Sequence, residues 1–281
     1  MRPNFYPELY GLKTLSVAGD YSFYYFKSWK ILLDCGIYHP CYSDLRSVIL
    51  SHAHMDHFGA LFQVLSRNEF LHRPPLQVYG PGWVFPFFER IRTAQEFLND
   101  SRGWTVQWNS FEHDVDLELG NNKILRAHRV EHRQPSYCLQ ILERRTHLKH
   151  EFQGSSPRAI KQLRKEKVEI EESRLYPLLF YSGDSNKTLL QHQDLSSFET
   201  VIVETTFFES GLREKAFTYG HIHFEDLLES VESFFGIQNL VLTHFSARTS
   251  PQQLTQAYNT LRSRLPDSTA LYFNTLQKPG K

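Results

Sequence analysis

The stretch Val48-Ile49-Leu50-Ser51-His52-Ala53-His54-Met55-Asp56-His57 decides the reading of this chain. A short apolar, β-branched run ends, and three imidazoles and a carboxylate follow within six positions. A strand that stops before such a cluster presents all four side chains at one strand tip. A regular helix does this less well, because residues two apart diverge there. Imidazole and carboxylate at this spacing form a metal-binding pattern. The competing reading is a His-rich surface loop.

The 281 residues are 41% hydrophobic and 22% charged, the composition of an ordinary globular protein with its own core. Basic and acidic residues balance at 31 each, so only a local patch can point to nucleic acid. Cys35, Cys41 and Cys138 show no CxxC spacing, which argues against a thiolate metal site and for a reducing compartment. Met1-Arg2-Pro3-Asn4-Phe5 leads into no long apolar run, so we expect a cytoplasmic protein with no membrane partner.

Working outward from the cluster, alternating and β-rich runs predict strands over 12–17, 21–26, 31–34, 48–50, 76–79, 105–108, 115–119, 123–127 and 137–142. Further strands are expected over 178–181, 201–204 and 240–242, with helices over 58–65, 86–98, 224–235 and 251–264. Strands followed by helices in two similar halves predict an α/β fold, a four-layer αββα sandwich, as a single domain over 1–281. In residues 144–167 the strand signals vanish, and eight basic residues meet two acidic ones. These are Arg144, Arg145, Lys149, Arg158, Lys161, Arg164, Lys165 and Lys167 against Glu151 and Glu166. With Gly154-Ser155-Ser156-Pro157 read as a hinge, the segment is either a solvated helix or an inserted arm that meets phosphates.

Other expected strand ends supply more ligands: His132, Asp184 and His244 each follow an apolar run closely. His52, His54 and His132 suit one ion, Asp56, His57 and His244 a second, and the two oxygens of Asp184 can bridge them. This donor set fits Zn²⁺, or Mn²⁺ or Fe. Two ions about 3.5–4 Å apart clamp a phosphoryl group and generate hydroxide near neutral pH.

His52 to His57 followed by Gly59, with Asp34 in Leu32-Leu33-Asp34-Cys35-Gly36, resembles the metallo-β-lactamase superfamily. Within it the chain is similar to ribonuclease Z, the tRNA 3′-processing endoribonucleases. Leu242-Thr243-His244-Phe245-Ser246-Ala247-Arg248, Val203-Glu204-Thr205-Thr206-Phe207 and Gly220-His221 carry that likeness. Residues 144–167 look like the short basic arm of one branch. The resemblance implies two Zn²⁺ per subunit, held by His52, His54, His132 and Asp184 and by Asp56, His57, Asp184 and His244. It implies Asp56 as orienter of a bridging hydroxide and base, and a Glu204–His221 pair that protonates the leaving ribose oxygen. It further implies Arg248 on phosphate, a homodimer, and the arm gripping precursor tRNA. The activity implied is removal of 3′ trailers by metal-hydroxide attack, leaving a 3′-hydroxyl on the tRNA. The chain lacks the Gly-Pro motif of longer arms, so tRNA-body binding falls to the basic segment.

Three alternatives remain: a metallo-phosphodiesterase for small or cyclic diesters or other RNA, an RNA-binding paralogue with structural metal, and thiol-ester or redox chemistry on an iron pair. The last would leave Glu204, His221 and the basic arm unexplained. His223 is read as structural, and the remaining histidines, His113 among them, carry no motif and no role.

Overall fold

The computed structural model describes residues 1–99, 103–111 and 115–275; His113 lies outside them. Among the described residues the strands form two sheets. The first runs in order β1 (Asn4–Tyr6), β2 (Leu12–Ala18), β3 (Tyr21–Phe26), β4 (Ile31–Leu33), β5 (Ser47–Ile49), β6 (Leu76–Pro81) and β7 (Val106–Phe111). The second contains β8 (Asp116–Gly120), β9 (Lys123–Val130), β10 (Ser136–Leu148), β11 (Glu171–Tyr181), β12 (Thr200–Glu204) and β13 (Asn239–Thr243). β14 (Phe245–Ser246) returns to pair with β2, and β15 (Ala270–Phe273) closes the edge beside β13. β3 and β4 are antiparallel, as are β8 to β11. From β4 to β7, and from β11 through β13 to β15, neighbours are parallel.

Burial on both faces explains why β4 and β5 read as unbroken apolar runs. Leu33 and Ile49 point inward with Tyr24 and Phe26, against Ile141, Leu179, Ile202 and Val241 of the facing sheet. Leu32, Val48 and Leu50 point outward onto Leu61, Val64 and Leu65 of α2 (Leu61–Phe70) and Phe88 of α3 (Phe85–Asn99). A one-turn α1 (Met55–Phe58) precedes them. On the other outer face, Val201, Val203, Leu240 and Leu242 meet helices that come late in the chain, through Leu227 and Leu261. Three apolar cores between four layers match the expected sandwich. Among the described residues no helix is long and apolar enough to cross a membrane.

Several expectations need correction. The helix expected over 58–65 is two helices, and Asp56 and His57 sit on the single turn of α1 rather than at the strand tip itself. The end of β4 holds it there: Cys35 N donates to His57 O, and Ala60 N donates to Cys35 O at 2.9 Å. The strands β1, β14 and β15 were too short for alternation to register. The helix expected over 224–235 stops at Glu229, and a 3₁₀ turn, Val231–Phe234, swings Phe234 into the core.

Residues 144–148 are strand, contrary to expectation. β10 and β11 stay paired out to Leu148 opposite Glu171, beyond the reach of their neighbours. A bulge at Ile141/Leu142, opposite Pro177, marks where the ribbon leaves the sheet. At its tip lies α4 (Pro157–Lys165). Ser156 Oγ accepts from Ala159 N at 3.2 Å and Pro157 occupies the first turn, so Gly-Ser-Ser-Pro is a helix start and not a hinge. The remaining helices are α5 (Leu189–His192), α6 (Arg213–Tyr219), α7 (Phe224–Glu229) and α8 (Pro251–Arg262).

Gly36 sets how closely α1 lies on β4. A Cβ there would stand 1.8 Å from Asp56 O and 2.8 Å from Ser22 N, both backbone atoms. Gly36→Ala is expected to lower unfolding free energy by about 3 kcal/mol or more, read from the urea midpoint. An unchanged midpoint would contradict this packing.

Candidate metal centre

Both parallel halves end at the same edge of the sandwich. His52 follows β5, Asp184 follows β11, Glu204 ends β12 and His244 follows β13. His132 arrives from the β9–β10 turn. The structure brings all seven expected ligands together: His52, His54, His132 and Asp184 in one group, and Asp56, His57 and His244 in another. Within each group the candidate ligand atoms lie within 4.8 Å of one another. The Asp184 carboxylate joins the groups, with Oδ1 3.3 Å from His57 Nε2 and Oδ2 3.3 Å from His244 Nε2 and 3.7 Å from His52 Nε2.

Outer partners fix which ring nitrogen faces inward. His57 Nδ1 donates to Asp34 Oδ2 at 2.7 Å and His132 Nδ1 to the Gly220 carbonyl at 2.8 Å. Ser51 Oγ donates to Asp34, so its oxygen accepts from His52 Nδ1 at 3.0 Å. His244 Nδ1 donates to Ser22 Oγ at 3.1 Å, with Ser16 Oγ at 3.3 Å. These assignments turn Nε2 of His52, His57, His132 and His244 toward one another. His54 turns its Nδ1 inward, 3.0 Å from His52 Nε2 and 3.2 Å from His132 Nε2. One proton cannot serve both contacts, whereas a shared cation can.

The buried Asp184 Oδ1 and His57 Nε2 face each other with no hydrogen-bond partner. A divalent ion satisfies such atoms, so the residues fit a metal. Burial pushes the His54 and His132 imidazoles below the ordinary His range. Burial, with the His57 charge, pushes His52 well below it. These neutral rings are ready ligands. Burial opposes the charge on His57, but Asp184 and Asp34 outweigh it and raise its pKa well above the usual value. In the metal-free protein that proton answers the buried carboxylates.

Asp34, Ser51 and Tyr181 escaped the sequence reading as site residues. Fully buried, Asp34 accepts from Ser51 N and Oγ, Tyr181 OH and His57 Nδ1. Only its place in Leu32-Leu33-Asp34-Cys35-Gly36 signalled it. Asp34 and His244 both adopt left-handed backbone, at φ 52° and 61°, an uncommon conformation at non-glycine residues. Asp56 is half-buried and accepts from Gly19 N at 2.9 Å.

Glu204 is buried, and His221 Nδ1 donates to its Oε1 at 2.8 Å. Burial disfavours the imidazolium, yet the Glu204 charge and hydrogen bond outweigh it and lift His221 to about 9. Thr206 N and Oγ1 donate to the other oxygen, Oε2. His221 also falls within ligand reach of Asp184 and His244. His223 instead caps α7, accepting from Glu225 N at 3.1 Å. Arg248 is exposed just beyond β14 and makes no ion pair among the described residues.

The arm is less basic than its sequence span suggests. Arg144 and Arg145 lie on β10 and pair with Glu118 and Glu143 at 2.7 and 2.5 Å. Lys149 pairs with Glu169 and Arg164 with Glu171, both acids of the returning chain. Arg158, Lys161, Lys165 and Lys167 keep no ion pair among the described residues.

No sequence-family profile matches the chain. A tRNase Z of Arabidopsis thaliana is 27% identical over 266 residues, spanning 90% of this chain and 91% of the relative. The metallo-β-lactamase fold protein YhfI of Bacillus subtilis superposes with a TM-score of 0.60 at 17% identity, covering 93% of this chain and 95% of its own. The chain has the metallo-β-lactamase fold, and ribonuclease Z sequences are its relatives. Human short-form tRNase Z shares that metallo-β-lactamase architecture, at TM-score 0.53 and 17% identity over 85% of this chain and 86% of its own. The likeness read from the motifs is borne out.

Asp34→Asn is expected to weaken zinc binding about 10–100-fold in competition with a chromophoric chelator. Unchanged affinity would refute the role given to Asp34. In the metal-free protein, Glu204→Gln is expected to drop the His221 pKa by roughly two units or more, read by NMR of its ring protons. The sign follows from the raised value: the pair stabilises the metal-free fold fully below the unfolded His pKa, and this is lost as pH rises through about 9. An unshifted His221 would show that Glu204 is not its partner.

Proposed function

We propose that this protein is a metal-dependent endoribonuclease that removes 3′ trailers from precursor tRNA. The observation that carries the reading is the Glu204–His221 pair beside two candidate ligand groups, on a chain whose relatives are named tRNase Z. Two zinc ions per subunit fit the all-imidazole and carboxylate donors, which also accommodate Mn²⁺ or Fe. Bound ions supply Lewis acidity to the phosphoryl oxygens and lower the pKa of water toward neutrality.

The chain's own groups do the rest. Asp56, steadied by Gly19 N, orients the attacking water and accepts its proton. His221, held by Glu204 at Nδ1, presents Nε2 to the leaving 3′-oxygen and donates the proton that an alkoxide needs. Exposed Arg248 contacts the phosphate.

The arm grips the tRNA body, and the geometry favours a homodimer in which it serves the neighbouring subunit. It leaves the N-terminal end of β11, whereas Asp184 follows the C-terminal end. An extended strand of 11 residues separates the two by roughly 35 Å. A cytoplasmic location belongs to the same proposal.

The deciding experiment is incubation of the zinc-loaded protein with a 3′-extended precursor tRNA, with product ends mapped at nucleotide resolution. A single cut beside the discriminator or the CCA end is expected. Hydrolysis of small diesters without that cut would transfer the function to a small-molecule phosphodiesterase. Lys149 N donates to Ile170 O, so replacing residues 150–169 by Asn-Gly closes the ribbon cleanly. That variant is expected to lose about tenfold or more in kcat/KM on precursor tRNA, with a shallower salt dependence, while turnover of a chromogenic phosphodiester persists. Undiminished tRNA cleavage would remove the arm from the account.

A further inference from the structure

α6 ends at the centre, and its exposed aromatics have no part in the chemistry above. Tyr219 and Phe217 are 39% and 47% exposed. Cations gather on them. The Arg133 guanidinium lies 5.2 Å from the Tyr219 ring centre, Lys215 Nζ 5.7 Å from the same ring, and Lys187 Nζ 5.8 Å from Phe217. Lys187 is paired with Asp226, but Arg133 and Lys215 are exposed and form no ion pair among the described residues.

This surface is wired directly to the site. Arg133 follows His132, and Tyr219 stands two residues before His221. Between them Gly220, at φ 76°, turns the chain sharply and places its carbonyl on His132 Nδ1. A Cβ at Gly220 would meet His132 Cα at 2.7 Å, so the approach is a backbone contact that admits only glycine. Phe207 also stands beside the pair, with its ring centre 6.1 Å from His221.

Exposed rings flanked by free cations are the chemistry that holds unpaired nucleotides: the ring stacks on a base and the cations meet phosphates. We infer that Tyr219 and Phe217, with Arg133 and Lys215, form a stacking platform for the unpaired nucleotides just upstream of the cut. The polarity follows from His221, and the inference rests on the proposed reading of it. The group beside the leaving 3′-oxygen neighbours the nucleoside that keeps that oxygen, which is the last nucleotide of the tRNA product and not the first of the trailer.

The test uses the zinc-loaded full chain and an acceptor-stem minihelix with an unpaired 3′ end, a product that cannot be cut. With 2-aminopurine as the terminal base, binding to the wild type is expected to quench fluorescence strongly. Replacing that base by an abasic residue is expected to weaken binding about tenfold or more, a comparison that needs no variant. Tyr219→Ala is expected to lose both the quench and the penalty, while Tyr219→Phe keeps both because the stacking face remains. No quench, or the same abasic penalty in wild type and Tyr219→Ala, would overturn the platform. Quench by a wild type that never cuts precursor tRNA would uphold the platform and refute the proposed activity alone.

Discussion

The burial of Asp184 among imidazoles is the constraint on which this structure turns. A carboxylate at 2% exposure, with one oxygen unpaired, needs positive charge close by. In the metal-free protein the proton on His57 supplies part of it, held by Asp184 and Asp34 together. Under the proposed reading, cations take over that role and displace the proton, so loading should release protons. The surrounding fold is organised to keep the donors aimed inward while they wait. Two sheets contribute their parallel strand ends to one edge, and every inward Nε2 is backed by a partner on Nδ1.

Those partners tie the centre to distant parts of the chain. Ser16 and Ser22 of the β2–β3 hairpin hold His244, which lies at the end of the second sheet. Tyr181 of β11 reaches across the sandwich to Asp34, at the end of β4. Gly220 holds His132 and introduces His221. Loosening one of these contacts misaims a donor without removing it, which is why supporting residues in such centres matter nearly as much as ligands.

Legibility in the sequence follows from this arrangement. The candidate ligands could be singled out because they are histidines and aspartates gathered just beyond apolar strands, and strand ends of this architecture form its sites. Glu204 and His221 could be read because each sits in a short motif. Asp34 could not be given a role, because nothing in its own short motif shows that Ser51 and His57 from the later cluster, and Tyr181 from far along the chain, converge on its carboxylate. The ribbon over 144–148 was missed for a different reason. A two-stranded extension buries neither face fully, so Arg144-Arg145-Thr146-His147 shows no apolar alternation. The acids that pair with the arm, Glu169 and Glu171, fall beyond the span that looked basic, so charge read along the chain overstated the charge in space.

Metal content measured by inductively coupled plasma mass spectrometry, on protein loaded with zinc and then desalted, tests the centre most directly. The account predicts two ions per folded chain, and a loss of at least one in Asp184→Asn. A folded wild-type chain that retains fewer than one ion, or a variant that retains as many as the wild type, would contradict it.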